Sequence, residues 1–298
     1  MKMMEFVKHR RIFIAISLAL AAVSLMSMLT KGFNFGVEFT GGSEIILRVE
    51  SNYFTESDVR QVLDLLSGDF AMARITRVRS VGDPANIRKF SITLTSTFET
   101  DIKNEIKQKL EQAISDMGVK AQVVSFNEAG GYAAEEVRRL TWRAIVIAIT
   151  AILIYVTMRF SFVFGLGAII ALAHDVLITL GLFSLTGYEL NVPAVAALLT
   201  LIGYSLNDTI VVYDRIRENM KKFRGKDIKR LVNESLNQVF KRTINTSITT
   251  FLVVFTLLLF AGNVIKPFAF GMSVGVIVGT YSSIYIASPV VLRWVRYR

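Results

Sequence analysis

The chain has 298 residues, 52% of them hydrophobic and only 19% charged, and its mean hydropathy is +0.48, which excludes a water-soluble domain of this length. Its net charge of +10 would point to nucleic acid in a soluble protein, but in a membrane protein basic loops set orientation and attract anionic lipid, so no nucleic-acid partner is expected. With no cysteine there is neither a disulfide nor a thiolate metal site, and no metal or cofactor is expected.

The first predicted element is a membrane span at Ile12–Leu29, preceded by Lys2, Lys8, Arg10 and Arg11. The ALA at Ala19–Ala21 would suit a signal-peptidase site, but the apolar run continues past it, which favours an uncleaved anchor. Residues 1–30 are therefore read as an N-terminal segment and first span, and 31–131 as a domain outside the bilayer. SEIILRVE alternates as a strand does. TESDVRQVLDLL opens on Thr55 with Asp58 three residues on, and carries Val59, Val62, Leu63 and Leu66 at helical spacing. Two strands follow, ARITRVRSV and IRKFSITLTS, joined across the turn GDPAN. A helix with Ile102, Ile106, Leu110 and Ile114 comes next, closed by Gly118, and then the strand VKAQVVSF. The order βαββαβ predicts a ferredoxin-like α+β unit. It has no histidine and no cysteine, and its carboxylates fall on helix faces, so binding is a better expectation than catalysis.

Residues 132–298 hold five more predicted spans: Trp142–Met158, Phe162–Leu185, Val192–Tyr213, Thr243–Ala261 and Phe268–Leu292. The loop 215–242 carries ten Lys or Arg against Glu218, Asp227 and Glu234, and the chain ends in RWVRYR. The opposite turns hold only Glu189 and Lys266. Both termini are thus expected in the cytoplasm and the first large loop outside it.

Ionisable groups at membrane depth are costly and are usually paired or functional. Asp208, beside Asn207 and Thr209, lies about 8 Å inside the predicted end of its span at 1.5 Å per residue. No anchoring role suits a short carboxylate there. Asp175, next to His174, lies near the middle of the third span; His174 reads as either a satisfied core residue or a titrating one. Counting from the cytoplasmic side puts Asp175 level with Thr200, roughly two turns from Asp208, so direct contact is not expected. Asp175 is then a second station on a polar path or a hydrogen-bond centre. Arg242 opens the fifth span, followed by Asn245, Thr246 and Thr249 on one face, a polar stripe that should not meet lipid. By itself Arg242 reads equally well as a snorkelling anchor. Gly271, Gly275 and Gly279 form a GxxxGxxxG ridge for close helix approach, either within the bundle or against another subunit. There is no Walker loop, HExxH or G-x-S-x-G, so energy must come from a gradient or a partner, and no enzymatic activity is expected.

Four stretches then carry a resemblance: GFNFGVEFTGGSEI after the first span, AHDVLITLG in the third, IGYSLNDTIVVYDRIREN in the fourth and NESLNQVFKRTINTSITT entering the fifth. Together they resemble the SecF branch of the SecD/SecF protein-export family, relatives of the RND transporters, over nearly the whole chain. The resemblance implies a six-span RND-like half with an extracytoplasmic first domain, proton-driven assistance to protein export, and SecD as partner. It further implies the SecYEG channel, YajC, YidC and the translocating polypeptide as partners. The family's proton-linked Asp and Arg fall on Asp208 and Arg242, whose charge state would depend on their closeness. Protonation would release the pair, and a hinge near FTGG would swing the outer domain. An RND-like exporter subunit for small molecules or lipids, and a non-transporting scaffold, are the alternatives. Such exporters usually carry larger outer domains and twelve spans.

Overall fold

The structure is a computed structural model that describes residues 3–66, 68–78, 84, 86–222, 227–262 and 264–294. In chain order, the long helix α1 (Phe6–Thr30) leads into β1 (Asn34–Phe35), α2 (Val37–Thr40), β2 (Gly42–Val49) and α3 (Glu56–Leu66). Then come β3 (Arg74–Val78), β4 (Arg88–Leu94), α4 (Thr100–Asp116) and β5 (Ala121–Ala129). The rest is helical apart from β6 (Glu189–Leu190): α5 (Gly131–Arg159), α6 (Phe162–Thr186), α7 (Val192–Lys222), α8 (Ile228–Phe260), α9 (Lys266–Ser282) and α10 (Ser288–Trp294). A π turn, Ser283–Ala287, joins the last two. Among the described residues, six helical stretches are long and apolar enough to cross a membrane, the last running from Lys266 to Leu292.

Two compact units result: Met1–Phe33 with Ala144–Thr186 and Pro193–Arg298, and Asn34–Arg143 with Gly187–Val192. In the second, β3-β4-β2-β5 form an antiparallel sheet, with the helices α3 and α4 contributing to its core. Period 2 decides the buried face: Ile45, Leu47 and Val49 of β2 and Phe90, Ile92 and Leu94 of β4 pack against Val59, Val62 and Leu63 of α3 and Ile106, Leu110 and Ile114 of α4. Of the expected helical stripe, Leu66 is only partly buried and Ile102, in the first turn of α4, is exposed. Asp58 accepts from both the backbone N–H and the hydroxyl of Thr55, at 2.7 and 2.8 Å, which caps α3 as the spacing predicted. Gly42 sits at φ 102°, and a Cβ there would strike the Leu94 carbonyl, so the second glycine of FTGG is required by both backbone and neighbour. Most of the GDPAN turn lies outside the described residues. The same unit holds an unpredicted pairing, the short parallel ladder of β1 with β6.

The helical unit is packed through small residues. Gly271, Gly275 and Gly279 of α9 face Ala197, Leu201 and Ser205 of α7, four residues apart on both helices, so the glycine ridge packs inside the bundle. Serines do the same for α1: Ser24 lies against Gly181 of α6, and the hydroxyls of Ser27 and Ser184 are 3.0 Å apart. At the π turn, the Tyr213 hydroxyl donates to the Ala287 carbonyl at 3.0 Å, satisfying a group that the altered register frees.

Candidate functional site

Among the described residues of the bundle, two carboxylates are buried. Asp175 of α6 is fully buried and accepts from Ser205 Oγ of α7 at 2.5 Å and from Ser282 Oγ of α9 at 2.7 Å. His174 Nδ1 lies 2.9 Å from its other oxygen, so with the carboxylate ionised the ring proton sits on Nδ1. His174 Nε2 is buried without a protein partner, and the ring stacks near Tyr281 at 6.3 Å between centroids. One side chain thus ties three helices together.

Asp208 of α7 is 3% exposed, yet its one hydrogen bond is long, from Ser247 Oγ of α8 at 3.4 Å. That hydroxyl has a single proton and also faces the Thr243 carbonyl at 2.9 Å, the better acceptor distance. Thr280 Oγ1 of α9 reaches Ser247 Oγ at 2.6 Å, so Asp208 ends a short hydroxyl chain rather than sitting at the centre of a cage. A carboxylate held this loosely in a buried place is poorly paid for its charge, and a proton or a cation is what the site lacks.

The two centres lie closer than the residue count suggested. Asp175 meets Ser205, three residues from Asp208, or about 4.5 Å along the axis rather than two turns. The count assumed that α7 ends at Tyr213, whereas it runs to Lys222. Tyr213 of α7 lies against Gly167 of α6, five residues beyond Phe162, and that contact carries Asp175 to the level of Ser205. The Asp208 carboxylate has no hydrogen bond from Arg242, whose side chain is exposed. Asn245, Thr246 and Thr249 are exposed on the same helix and Asn207 on α7, while Thr209 is buried. The expected polar stripe therefore exists, but on the outer surface of this chain; the inward positions are Thr243 and Ser247.

A third buried group escaped the sequence reading. In the α/β unit, Glu38, Glu44 and Glu189 converge from α2, β2 and β6. Burial pushes Glu189 up to about 8, helped by the charges of Glu44 and Glu38, and burial also raises Glu38 above the ordinary carboxylate range. Glu44 accepts from Ser91 Oγ at 2.7 Å and Asn127 Nδ2 at 3.2 Å, whereas Glu38 Oε2 has no partner. The β1–β6 ladder that assembles this cluster has two residues per strand, too short for any periodicity to reveal. Among the described residues no group of His, Asp and Glu has the arrangement of a metal site.

The family model described as "Protein export membrane protein SecD/SecF, C-terminal" matches residues 109–297, and that of the SecD/SecF GG motif matches 27–52. The chain is 48% identical to the protein translocase subunit SecF of Petrotoga mobilis, covering 99% of this chain and 97% of that one. It is 40% identical to the protein translocase subunit SecDF of Thermus thermophilus, over 97% of this chain but only 38% of that longer one. The crystal structure of SecDF from Thermus thermophilus, a translocon-associated membrane protein, superposes with a TM-score of 0.83 at 37% identity, over 98% of this chain and 38% of that chain.

Proposed function

This chain belongs to the SecD/SecF family of protein-export membrane proteins as a SecF-type translocase subunit, and on that premise we propose that it works with SecD to turn a proton gradient into outward movement of polypeptide. Asp208 is the group that takes up and releases the proton, and Arg242 is its cation in the assembled complex. The observation that carries this is the Asp208 carboxylate, buried at membrane depth with one bond of 3.4 Å. Asn207, Thr209, Asn245 and Thr246 supply the polar surroundings, and His174 with Asp175 anchors the helices on which Asp208 sits.

SecD is the partner that this arrangement calls for. Asn207, Arg242 and Asn245 are exposed on the single chain at a depth where lipid would leave their polar groups unpaired, so a polar protein face must cover them; Thr246 and Thr249 on the same face bond carbonyls of their own helix. That the Thermus SecDF chain is far longer than this one, which spans 38% of it, agrees with a further, larger part that this chain does not contain. The basic loop and termini lie in the cytoplasm, and residues 31–131 form an extracytoplasmic ferredoxin-like domain that holds the emerging chain. SecYEG, YajC and YidC complete the machinery.

The test uses vesicles containing the whole translocon under an imposed proton gradient, with appearance of a secreted reporter as the readout. Asp208→Asn and Arg242→Ala should each abolish gradient-dependent export while insertion and SecD association persist. The double variant should be no worse than the more defective single one, because the two act as a unit. Wild-type export by Asp208→Asn under the same gradient would remove Asp208 from the proton path.

A further inference from the structure

The segment that enters α1 is held in a specific way. Met4 N–H donates to Asn237 Oδ1 at 2.9 Å, and Val7 N–H to Asn233 Oδ1 at 3.3 Å. Both asparagine amides return a bond to the Met4 carbonyl, each at 2.9 Å. Phe6 is buried against Phe240 of α8, 5.1 Å between ring centroids. Asn233 of α8 therefore does the work of an N-cap for α1, whose own cap residue Glu5 makes no side-chain capping bond, and Asn237 holds the residue before it.

This clamp forces like charges together. Lys8, Arg10 and Arg11 of α1 and Lys229 and Arg230 of α8 line one cleft of about 720 Å³. Glu5 offsets Lys8 at 3.2 Å and Glu234 offsets Arg230 at 3.2 Å. Arg10, Arg11 and Lys229 have no carboxylate partner among the described residues. Like charges gathered in one cleft sum to a positive field that favours an anion there.

The level of the cleft says which anion. Met4 meets Asn237 while Val7, three residues on, meets Asn233, so the two helices run in opposite residue order at this contact and Arg10 and Arg11 come opposite Lys229 and Arg230. Ile12 begins the apolar run of α1, and Arg10 and Arg11 directly precede it. The inner end of the cleft thus lies in the headgroup layer, the zone of about 5–8 Å that separates hydrocarbon from water on each side. We propose that this cleft binds the phosphate of an anionic phospholipid, with Arg10 and Arg11 as the inner contacts and Lys229 and Arg230 closing over the headgroup. The site stands independently of the proton role of Asp208.

The absence of cysteine makes the test direct. A fluorophore on a Met3→Cys variant of the full chain, in phosphatidylcholine vesicles, is quenched by a minor fraction of headgroup-spin-labelled phosphatidylglycerol or, separately, spin-labelled phosphatidylcholine. The anionic lipid should quench at much lower mole fraction. Each neutralised contact should cost about fivefold in that preference, so Arg10→Gln with Arg11→Gln loses about 25-fold, and Lys substitutions at the same places restore most of it. Asn233→Ala with Asn237→Ala keeps every charge but frees the clamp, and should lose the preference to a similar extent. Lys221→Gln with Lys222→Gln, on the last turn of α7 and outside the cleft, should leave it unchanged.

Equal quenching by the two lipids, or an equal loss from the Lys221 and Lys222 changes, would overturn the site in favour of general surface charge. Full preference in the asparagine variant would overturn the built cleft. If inorganic phosphate in the buffer abolishes the preference at an ionic strength where chloride does not, the cleft is a site for the free ion, and the lipid assignment is wrong.

Discussion

Asp175 and Asp208 are both buried carboxylates of the same bundle, about one turn apart in level, and the protein treats them in opposite ways. Asp175 has donors from His174, Ser205 and Ser282, drawn from three helices, at 2.5–2.9 Å. Asp208 has one, at 3.4 Å, and shares it. A satisfied charge in a medium of low dielectric is rigid and specifies packing; an unsatisfied one is ready to change its proton or its partner. The comparison separates the bundle's keystone from its moving part.

The sharpest way to break it is to remove the keystone. Asp175→Ala leaves Ser205 and His174 without their acceptor and Ser282 with only the Gly279 carbonyl at 3.1 Å, and should cost about 3–5 kcal/mol, enough to lower the yield of monodisperse chain severely. Asp175→Asn keeps an acceptor oxygen for one or two of them and should fall between that variant and wild type. Thermal unfolding in detergent measures both. If Asp175→Ala melts with the wild type, the carboxylate is not holding the helices.

The next largest effect tests the surface on which both centres rest. A Cβ at Gly275 would fall within contact of three atoms of the Leu201 side chain, so Gly275→Val should cost about 1–3 kcal/mol by overpacking, with Leu201→Ala partly restoring it. Gly279→Ala, where the neighbour is Ser205 Cβ at 3.1 Å, should cost less but shift the Ser205 bond to Asp175. The readout is again the melting temperature, alone and in the double variant.

These features differ in how far the sequence disclosed them. Spans, the βαββαβ order and the glycine ridge rest on composition and on periods of 2 and 3.6, which a single chain carries in full. The rarity of charge at depth singled out Asp175 and Asp208 for the same reason. Their relation was not legible, because it depends on how far α7 runs beyond the apolar stretch and on the Gly167–Tyr213 contact that sets α6 against α7, which no periodicity marks. Which neighbour the face of Asn245 and Thr246 meets was not legible either, because periodicity says that residues share a face, never what that face packs against. The roles of Ser205, Ser247, Ser282 and Thr280 were missed altogether: hydroxyls that bond their own helix and those that bond a neighbour look alike in sequence.

A third carboxylate sharpens the contrast from outside the bundle. Glu189 is raised to about 8, so between the ordinary glutamate range near 4.5 and about 8 the folded α/β unit binds a proton that the unfolded chain releases. Its contribution to stability is therefore fully present at low pH and is lost as pH rises toward 8. The backbone bond from Gly36 N–H to the Leu190 carbonyl, 3.2 Å, reports the β1–β6 ladder directly. Its exchange protection should fall by up to about tenfold per pH unit across that window beyond the intrinsic change, and Glu189→Gln should remove the dependence. A wild-type profile as flat as that of the variant would show that Glu189 is ionised throughout.

The smallest expected effect is the most diagnostic of the two centres. Asp208→Asn removes a charge that has little to lose: one long bond, which the amide oxygen can still accept. The amide adds two donors, and the Ser247 hydroxyl, already directed at the Thr243 carbonyl, can accept one of them. Melting should shift by no more than about 0.5 kcal/mol, and in the stabilising direction if the wild-type side chain is ionised in detergent, because an undercompensated buried charge has been taken away. Export, by contrast, should stop. A large destabilisation equal to that of Asp175→Asn would mean that Asp208 is a second keystone, and the loss of export would then be a folding defect rather than a lost proton site.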